Sequence, residues 1–298
     1  MTQVLAAPAP ARSGRRPRSG GLPAVGLVLG GAVSVQFGAA LAATLFPRAG
    51  VAGVLSMRLA LAAVPLLAVS RPRLRGHDRP AWAAVVGFGA VLATMNASFY
   101  AAIERIPLGA AVTLEFLGPL TLSVVAARRA RGRLWAVPAL AGVALLGKGG
   151  LHGLEPAGAG FALAAGACWA AYILLSAEVG RRFPRLDGLA LAMAVATALT
   201  LPAGVATSGG ELLHPAVLAT GAGVAVLSSL APYSLELLAL RRLEASTFAV
   251  LTSLGPAIAA LAGFVVLGQA LGAADALAVL LVVAAGVGAV RAARTGPT

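Results

Sequence analysis

The chain consists of apolar stretches of about twenty residues, separated by short connections that contain most of its charged residues. A helix of about 20 residues crosses a hydrocarbon core of ~30 Å. Because lipid cannot satisfy free backbone N–H and C=O groups, each stretch must form a helix. Charged residues make up 11% of the chain, whereas an ordinary soluble domain contains about 25%. The sequence therefore predicts an all-α membrane protein and excludes a water-soluble fold.

Ten transmembrane helices, numbered here as spans 1 to 10, are predicted. They cover residues 22–45, 50–69, 81–103, 107–126, 134–150, 157–176, 188–207, 215–237, 246–267 and 271–290. Residues 1–21 have nothing to bury and are predicted to form a disordered cytoplasmic tail, and residues 291–298 a second tail. Arg15 and Arg16 resemble a twin-arginine signal peptide, but span 1 is too long for one and further spans follow it. We therefore favour an uncleaved first helix.

The basic residues are distributed unequally between alternate connections. Nineteen of the 23 fall on one side, and Arg48, Arg105 and Lys148 on the other, while Arg58 lies inside span 2. By the positive-inside rule, both termini are predicted to be cytoplasmic. The net charge of +13 is explained by this distribution. Since there is no folded basic domain and no interleaving of aromatic residues, we expect no nucleic-acid partner.

The two halves of the chain share a short pattern. Residues 114–119 read Leu-Glu-Phe-Leu-Gly-Pro and residues 251–256 read Leu-Thr-Ser-Leu-Gly-Pro, each with an arginine fourteen residues before the proline. Five spans is an odd number, so two copies of one unit would insert with opposite orientations, which is typical of secondary transporters. Chance similarity between two Leu- and Gly-rich helices is the alternative. The pattern predicts two inverted five-helix repeats, 22–150 and 151–290.

No catalytic motif is present. The sequence contains no His-Glu-x-x-His, no Gly-x-Ser-x-Gly and no P-loop. The three histidines fall in connections, and Cys168 is the single cysteine. We therefore expect a protein that is not an enzyme and that uses no cofactor and no metal. Energy for transport would come from an ion gradient or a substrate gradient.

Ionisable residues inside the spans are the best indicators of a site, since a charge at the bilayer centre costs at least ~2.5 kcal/mol. Arg58 and Glu115 each lie eight residues into their spans from the external end, about 12 Å deep at ~1.5 Å per residue. They either neutralise each other as a structural pair or handle substrate and protons. Glu236 is near the cytoplasmic end of span 8 and can extend to water.

Further polar and aromatic residues in the spans could contact a substrate or could simply join helices. The predicted binding or coupling residues besides Arg58, Glu115 and Glu236 are Gln36, Asn96, Tyr100, Trp169, Tyr172 and Tyr233. Ser228 and Ser229 belong to the same polar group. Pro119 and Pro256 remove helix hydrogen bonds at corresponding places, which permits bends or freed carbonyls that face a cavity.

Several segments resemble a known family. They are Leu45-Phe46-Pro47, Arg58-Leu59-Ala60-Leu61, Pro107-Leu108-Gly109, Leu114-Glu115-Phe116, Gly118-Pro119-Leu120, Gly166-Ala167-Cys168-Trp169-Ala170, Pro232-Tyr233-Ser234-Leu235-Glu236, Ala239-Leu240 and Thr247-Phe248. With them the chain resembles the ten-helix EamA-type branch of the drug/metabolite transporter superfamily and, within it, the bacterial threonine/homoserine exporters. The resemblance implies an inner-membrane exporter of small amino acids, driven by the proton motive force.

Two positions depart from the family pattern. It tends to have an acidic residue before the span-9 proline and another after Leu-Gly at the end of that helix, where this chain has Gly255 and Gln269. Glu115 is then the membrane carboxylate that remains. The alternative function is export of another amphiphilic metabolite or drug by the same fold. A non-transporting membrane protein or an intramembrane enzyme is less expected.

Overall fold

The computed structural model describes residues 22–126, 134–145, 155–240, 245–270 and 272–294. Within these ranges the chain is helical and has no β-strand. Five helical stretches are long and apolar enough to cross a membrane, and three apolar helices are shorter. The protein is therefore an all-helical membrane protein, as predicted. The predicted tail 1–21 lies outside the described residues.

The described ranges contain twelve α-helices, numbered here in chain order. They are α1 (Leu22–Ser70), α2 (Arg79–Arg105), α3 (Leu108–Glu115), α4 (Leu117–Ala126), α5 (Ala136–Leu145), α6 (Pro156–Arg182), α7 (Asp187–Ser208), α8 (Pro215–Ala225), α9 (Ala231–Leu240), α10 (Ala245–Thr252), α11 (Gly255–Leu267) and α12 (Ala273–Arg294). A 3₁₀ turn, Gly209–Leu213, precedes α8, and a π-helical turn, Val226–Leu230, joins α8 to α9.

Each predicted span contains described helix, although some boundaries differ. α1 covers both span 1 and span 2 and is divided at Gly50, whose φ of 59° and ψ of 164° are not helical. The predicted connection around residues 46–49 is therefore helical and the break is a single glycine, which tolerates positive φ. The last helix extends four residues beyond predicted span 10, into the predicted cytoplasmic tail 291–298. α12 can continue to Arg294 because the chain has no proline between Pro256 and Pro297 to end it.

Spans 4 and 9 are each divided into two helices at the same place in their shared pattern. α3 and α4 are separated at Phe116, and α10 and α11 at Ser253 and Leu254. In both spans the proline, Pro119 or Pro256, lies three residues after the start of the break. Proline has no N–H, so the carbonyl four residues earlier loses its usual helical donor. This explains why both helices break here.

Helices from the two halves of the chain pack closely against each other. Gly50 divides α1 into a first arm, residues 22–49, and a second arm, residues 51–70. The first arm contacts span 8, where the Ser34 hydroxyl donates to the Leu227 carbonyl at 2.7 Å. The second arm contacts α7 and α8, with Met57 against Gly221. Further contacts pair α2 with α6 and α7, α3 with α11, α5 with α12, and α1 with α11. Buried alanines and glycines at these interfaces allow the close approach that helices in membranes use.

Candidate functional site

Arg58 is buried in the middle of α1's second arm and is held by two side chains of α2. Its Nη1 donates to the Tyr100 hydroxyl at 3.0 Å and its Nη2 donates to the Asn96 Oδ1 at 2.7 Å. The guanidinium carbon also lies 5.4 Å from the centre of the Tyr100 ring. Arg58 is 3% exposed. Three residues that the sequence indicated separately therefore form one cluster.

The spacing of the acceptors explains this geometry. Asn96 and Tyr100 are four residues apart, so they lie on the same face of α2. The Asn96 amide donates to the Leu92 carbonyl at 2.8 Å, and this bond turns its oxygen towards the arginine. The Phe46 ring, 5.4 Å from that of Tyr100, covers the cluster from α1's first arm. The guanidinium is thus fixed in orientation.

Both acceptors of Arg58 are neutral. Within the described ranges, no carboxylate lies within 4.0 Å of its guanidinium, since every ion pair found there belongs to Arg105, Arg181 or Arg182. The Arg58 Nε has no hydrogen-bond partner. A buried charge is normally paired, because its desolvation costs several kcal/mol. The cluster therefore presents a desolvated, oriented cation that can accept an anion.

Glu115 is the last residue of α3, where span 4 breaks, and is 1% exposed. Its Oε2 has no hydrogen-bond partner. The backbone of α6 approaches closely here, since a Cβ on Gly166 would lie 2.6 Å from the Glu115 carbonyl oxygen. A Cβ on Gly118 would overlap the Gly166 carbonyl. Two glycines therefore allow α6 to press against the break beside this carboxylate.

Aromatic side chains line the same region. The rings of Phe116 and Trp169 are 5.9 Å apart at 70°, an edge-to-face arrangement. Tyr172 is fully buried on α6, with its ring 5.0 Å from that of Phe88 on α2. Trp169 and Tyr172 are three residues apart and thus share one face of α6. They connect the surroundings of Glu115 with α2, which carries the Arg58 acceptors.

Arg58 and Glu115 do not form a direct ion pair in the described structure. Asp187 and Asp275 are the other buried ionisable residues in the described ranges, and both lie in the first turn of a helix. Arg58 and Glu115 are thus the two buried residues of charged type in these ranges that do not lie in the first turn of a helix.

Gln36 is buried on the first arm of α1, and its Oε1 has no partner. Its Nε2 would be 3.7 Å from a Cβ on Gly255, so the amide faces the beginning of α11. Ser228 and Ser229 are buried in the π-helical turn of span 8. π-helical turns are frequent at functional sites. The contact with Gly255 places Gln36 at the break in span 9, just as Gly166 lies at the break in span 4.

Tyr233 and Glu236 fall within α9, but their side chains lie outside the described part of the structure. Gln269 has a clear structural role: its Oε1 accepts a hydrogen bond from the Leu108 N–H at 3.0 Å. Phe46, Phe116 and Gly166 were missed as neighbours of the predicted residues. Apolar residues carry no signal of their own in an apolar chain, although all three fall in segments that support the family resemblance.

No group of three His, Cys, Asp or Glu side chains in the described ranges is arranged to hold a metal ion. The geometry provides two buried ionisable side chains: Arg58, which is held between α1 and α2, and Glu115, which lies at the break in span 4. Broken helices at the interface of two halves of a membrane protein are where transporters bind their substrates. The fold and this site define a polytopic helical transporter.

Comparisons with known proteins identify the family. Residues 156–291 match the EamA-like transporter family. The chain is 38% identical over 267 residues to the threonine/homoserine exporter RhtA of Salmonella typhimurium, covering 89% of this chain and 90% of that protein. It is also 38% identical over 270 residues to RhtA of Escherichia coli K12, covering 90% of both chains. The chain therefore belongs to the EamA-like transporter family.

A solved structure has a similar fold. The crystal structure of another protein matches with a TM-score of 0.59 and covers 91% of this chain and 99% of that chain. The sequence identity is 21%, so the match concerns the fold alone.

Proposed function

We propose that the protein is a secondary transporter of the bacterial inner membrane that exports small neutral amino acids such as threonine and homoserine. One observation carries this proposal: the buried Arg58 guanidinium is held by neutral acceptors, and the buried Glu115 carboxylate has an oxygen with no partner. A zwitterionic amino acid carries the two complementary charges. The relatives named as threonine/homoserine exporters supply the substrate class.

Arg58 is the carboxylate-binding group of this proposal. Tyr100 accepts a hydrogen bond from Nη1 and Asn96 accepts one from Nη2, which leaves Nε without a partner. A substrate carboxylate at Nε would gain a charge-assisted hydrogen bond and would neutralise the buried cation. The neutral acceptors hold the guanidinium in place without competing for its charge. Such an arrangement binds an anion more readily than an existing ion pair would.

Glu115 is the ammonium-binding and proton-binding group. It lies at the break between α3 and α4, where small helix movements change its surroundings. As a carboxylate it attracts the substrate ammonium, and as a neutral acid it loses that attraction. Proton entry from outside would thereby couple to release of the substrate. The proton motive force would drive export in this scheme.

The proposed architecture is ten spans in two inverted repeats, 22–150 and 151–290. Helix contacts support it. If each span is replaced by the span at the corresponding place in the other half (1 by 6, 2 by 7, and so on), most of the observed contacts become other observed contacts. The contact between spans 1 and 8 has its counterpart in the contact between spans 6 and 3. In the same way, the contact of spans 2 and 8 corresponds to that of spans 7 and 3, and the contact of spans 1 and 9 to that of spans 6 and 4. The pairs 2 and 7, 4 and 9, and 5 and 10 convert into themselves.

Both termini are proposed to be cytoplasmic, from the unequal distribution of basic residues. Cysteines replacing Gly76 or Leu213 in a Cys168→Ala protein test this orientation. The cysteine at 213 should react with an impermeant thiol reagent added outside intact cells, and the cysteine at 76 should not. The opposite result would reverse the orientation.

Export itself is tested in cells that overproduce the protein. They should tolerate inhibitory threonine or homoserine and release these amino acids faster than cells with an empty vector. Arg58→Met provides the matched inactive control, provided that its abundance in the membrane is equal. Unchanged efflux of all small neutral amino acids from cells with abundant native protein would refute the substrate assignment.

A further inference from the structure

The end of span 9 is joined to the start of span 4 by a side chain that reaches across 161 residues of sequence. The Gln269 Oε1 accepts the Leu108 N–H at 3.0 Å. Leu108 is the first residue of α3, so its N–H is one of the donors that a helix leaves unsatisfied. Gln269 therefore caps the half-helix that ends in Glu115.

The backbone of Gln269 is itself held in place. Gly268 adopts the left-handed conformation with φ of 65°, and the Gln269 N–H donates to the Gly263 carbonyl at 3.1 Å. This bond joins residues six apart and closes a turn over the end of α11, directly after the left-handed glycine. The turn directs the Gln269 side chain towards α3. Gly263 also faces this side chain, since a Cβ there would overlap the Gln269 Oε1.

Contact between spans 4 and 9 is concentrated in the halves that meet at this bond. α3 packs against α11, with Gly109 so close to Ala260 that a Cβ on the glycine would lie 2.8 Å from the alanine Cβ. α4 instead has its main contacts with α6, α12 and α5. In the proposed orientation, α3 and α11 are the outer halves. The outer ends of the two broken helices are therefore closed on each other.

We propose that Gln269 is the latch of an outer gate: its bond to Leu108 keeps α3 and α11 closed and breaks whenever substrate leaves to the outside. The inference rests on the proposed transport function and adds a positioning residue to it. Gln269 acts through α3, because moving the first residue of this eight-residue helix also moves Glu115 at its end. A single neutral hydrogen bond suits this role, since it favours one state and still opens in every cycle.

The test measures opening without using substrate. A cysteine at position 113, buried in α3, reports access from outside by its reaction with an impermeant thiol reagent in a Cys168→Ala protein. Gln269→Met removes the acceptor at nearly constant volume, and Gln269→Glu retains it. The methionine variant should react about fivefold faster, the factor for one lost hydrogen bond of about 1 kcal/mol. The glutamate variant should react no faster than the parent, because a carboxylate accepts well at a helix N-terminus.

A second variant disturbs the same hydrogen bond without changing Gln269. Gly263→Ala would push the Gln269 amide away from Leu108 without changing Gln269, so it should also speed the reaction. In combination with Gln269→Met the two effects should not add, because both act on one bond. Additive effects, or equal reaction rates in the parent and both single variants, would overturn the latch.

The two proposals can fail separately. A protein that shows this order of reaction rates but exports no amino acid would keep the latch and lose the proposed function. A protein that exports threonine while position 113 reacts equally in all variants would keep the function and lose the latch. Reaction only from the cytoplasmic side would overturn the assignment of this gate to the outside.

Discussion

Spans 4 and 9 have the same pattern and the same break, but different neighbours at the break. In span 4 the break is tightly packed, because Gly118 and the Glu115 carbonyl touch Gly166. In span 9 the nearest atom to a Cβ on Gly255 is the Gln36 Nε2 at 3.7 Å, an ordinary contact. The proline therefore explains the break in both spans, while the surrounding residues give each break a different role.

The two breaks also differ in the polar groups that they contain. Span 4 has the buried carboxylate Glu115 where span 9 has Thr252. In span 9, Gly255 faces the Gln36 amide at ordinary contact distance, and the oxygen of that amide has no partner. The comparison indicates that span 4 provides a fixed charge on a rigid support. Span 9 places an uncharged polar group, the Gln36 amide, at ordinary contact distance from the counterpart of Gly118.

The largest effect is expected from a methyl group at the tightly packed break. Gly118→Ala would overlap the backbone of α6, which cannot move as a side chain can, and should lower the free energy of unfolding by about 3 kcal/mol. Gly255→Ala, its counterpart in span 9, should change stability by less than about 0.5 kcal/mol. Thermal aggregation of the two variants in detergent measures the difference. Equal stabilities would show that the two breaks are packed alike.

A smaller effect is expected from restoring the missing backbone donor. Pro119→Ala and Pro256→Ala each supply an N–H that can bond the carbonyl four residues earlier and straighten the helix. Efflux should fall about tenfold for Pro119→Ala, a loss of about 1.4 kcal/mol, because Glu115 lies at that break. The change for Pro256→Ala should be smaller. Efflux is compared at matched membrane abundance, and a larger loss at Pro256 would reverse the assignment of roles.

The smallest effect is expected at Gln36. Gln36→Leu replaces a buried amide with an apolar side chain of similar size, so stability should be unchanged or higher by about 1 kcal/mol. If this amide contacts the substrate hydroxyl, efflux of threonine should fall about fivefold relative to alanine, as for one lost hydrogen bond. Competition between the two amino acids measures this ratio. An unchanged ratio would make Gln36 a packing residue.

Much of the fold could be predicted because apolar length and proline position are local properties. The helical class and the helical intervals followed from runs of apolar residues, and Pro119 and Pro256 indicated both breaks. The end of α12 lies four residues beyond predicted span 10, because a helix can continue past the apolar run that predicts a span. The connection between spans 1 and 2 is shorter than predicted, because the backbone conformation of one residue, Gly50, is enough to separate them.

For the site, the sequence predicted single buried residues but not the contacts between them. Burial of Arg58 and Glu115 followed from their position within apolar runs. The bonds from Arg58 to Asn96 and Tyr100 depend on how span 2 is rotated against span 3, which the sequence does not state. Gln269 looked like a departure from a family pattern. Its bond to Leu108 joins residues that only the packing of spans 4 and 9 brings together.

The central claim is that Arg58 and Glu115 bind substrate and are not a structural pair. Counterflow of labelled threonine into proteoliposomes tests it directly for the native protein, Arg58→Met, Glu115→Gln and the double variant, each at equal abundance. Because the two side chains form no direct ion pair, all three variants should accumulate in the membrane. Each should lose exchange by about a hundredfold, as expected for a lost charged interaction of about 2–3 kcal/mol. An abundant double variant that exchanges threonine at the native rate would contradict the claim.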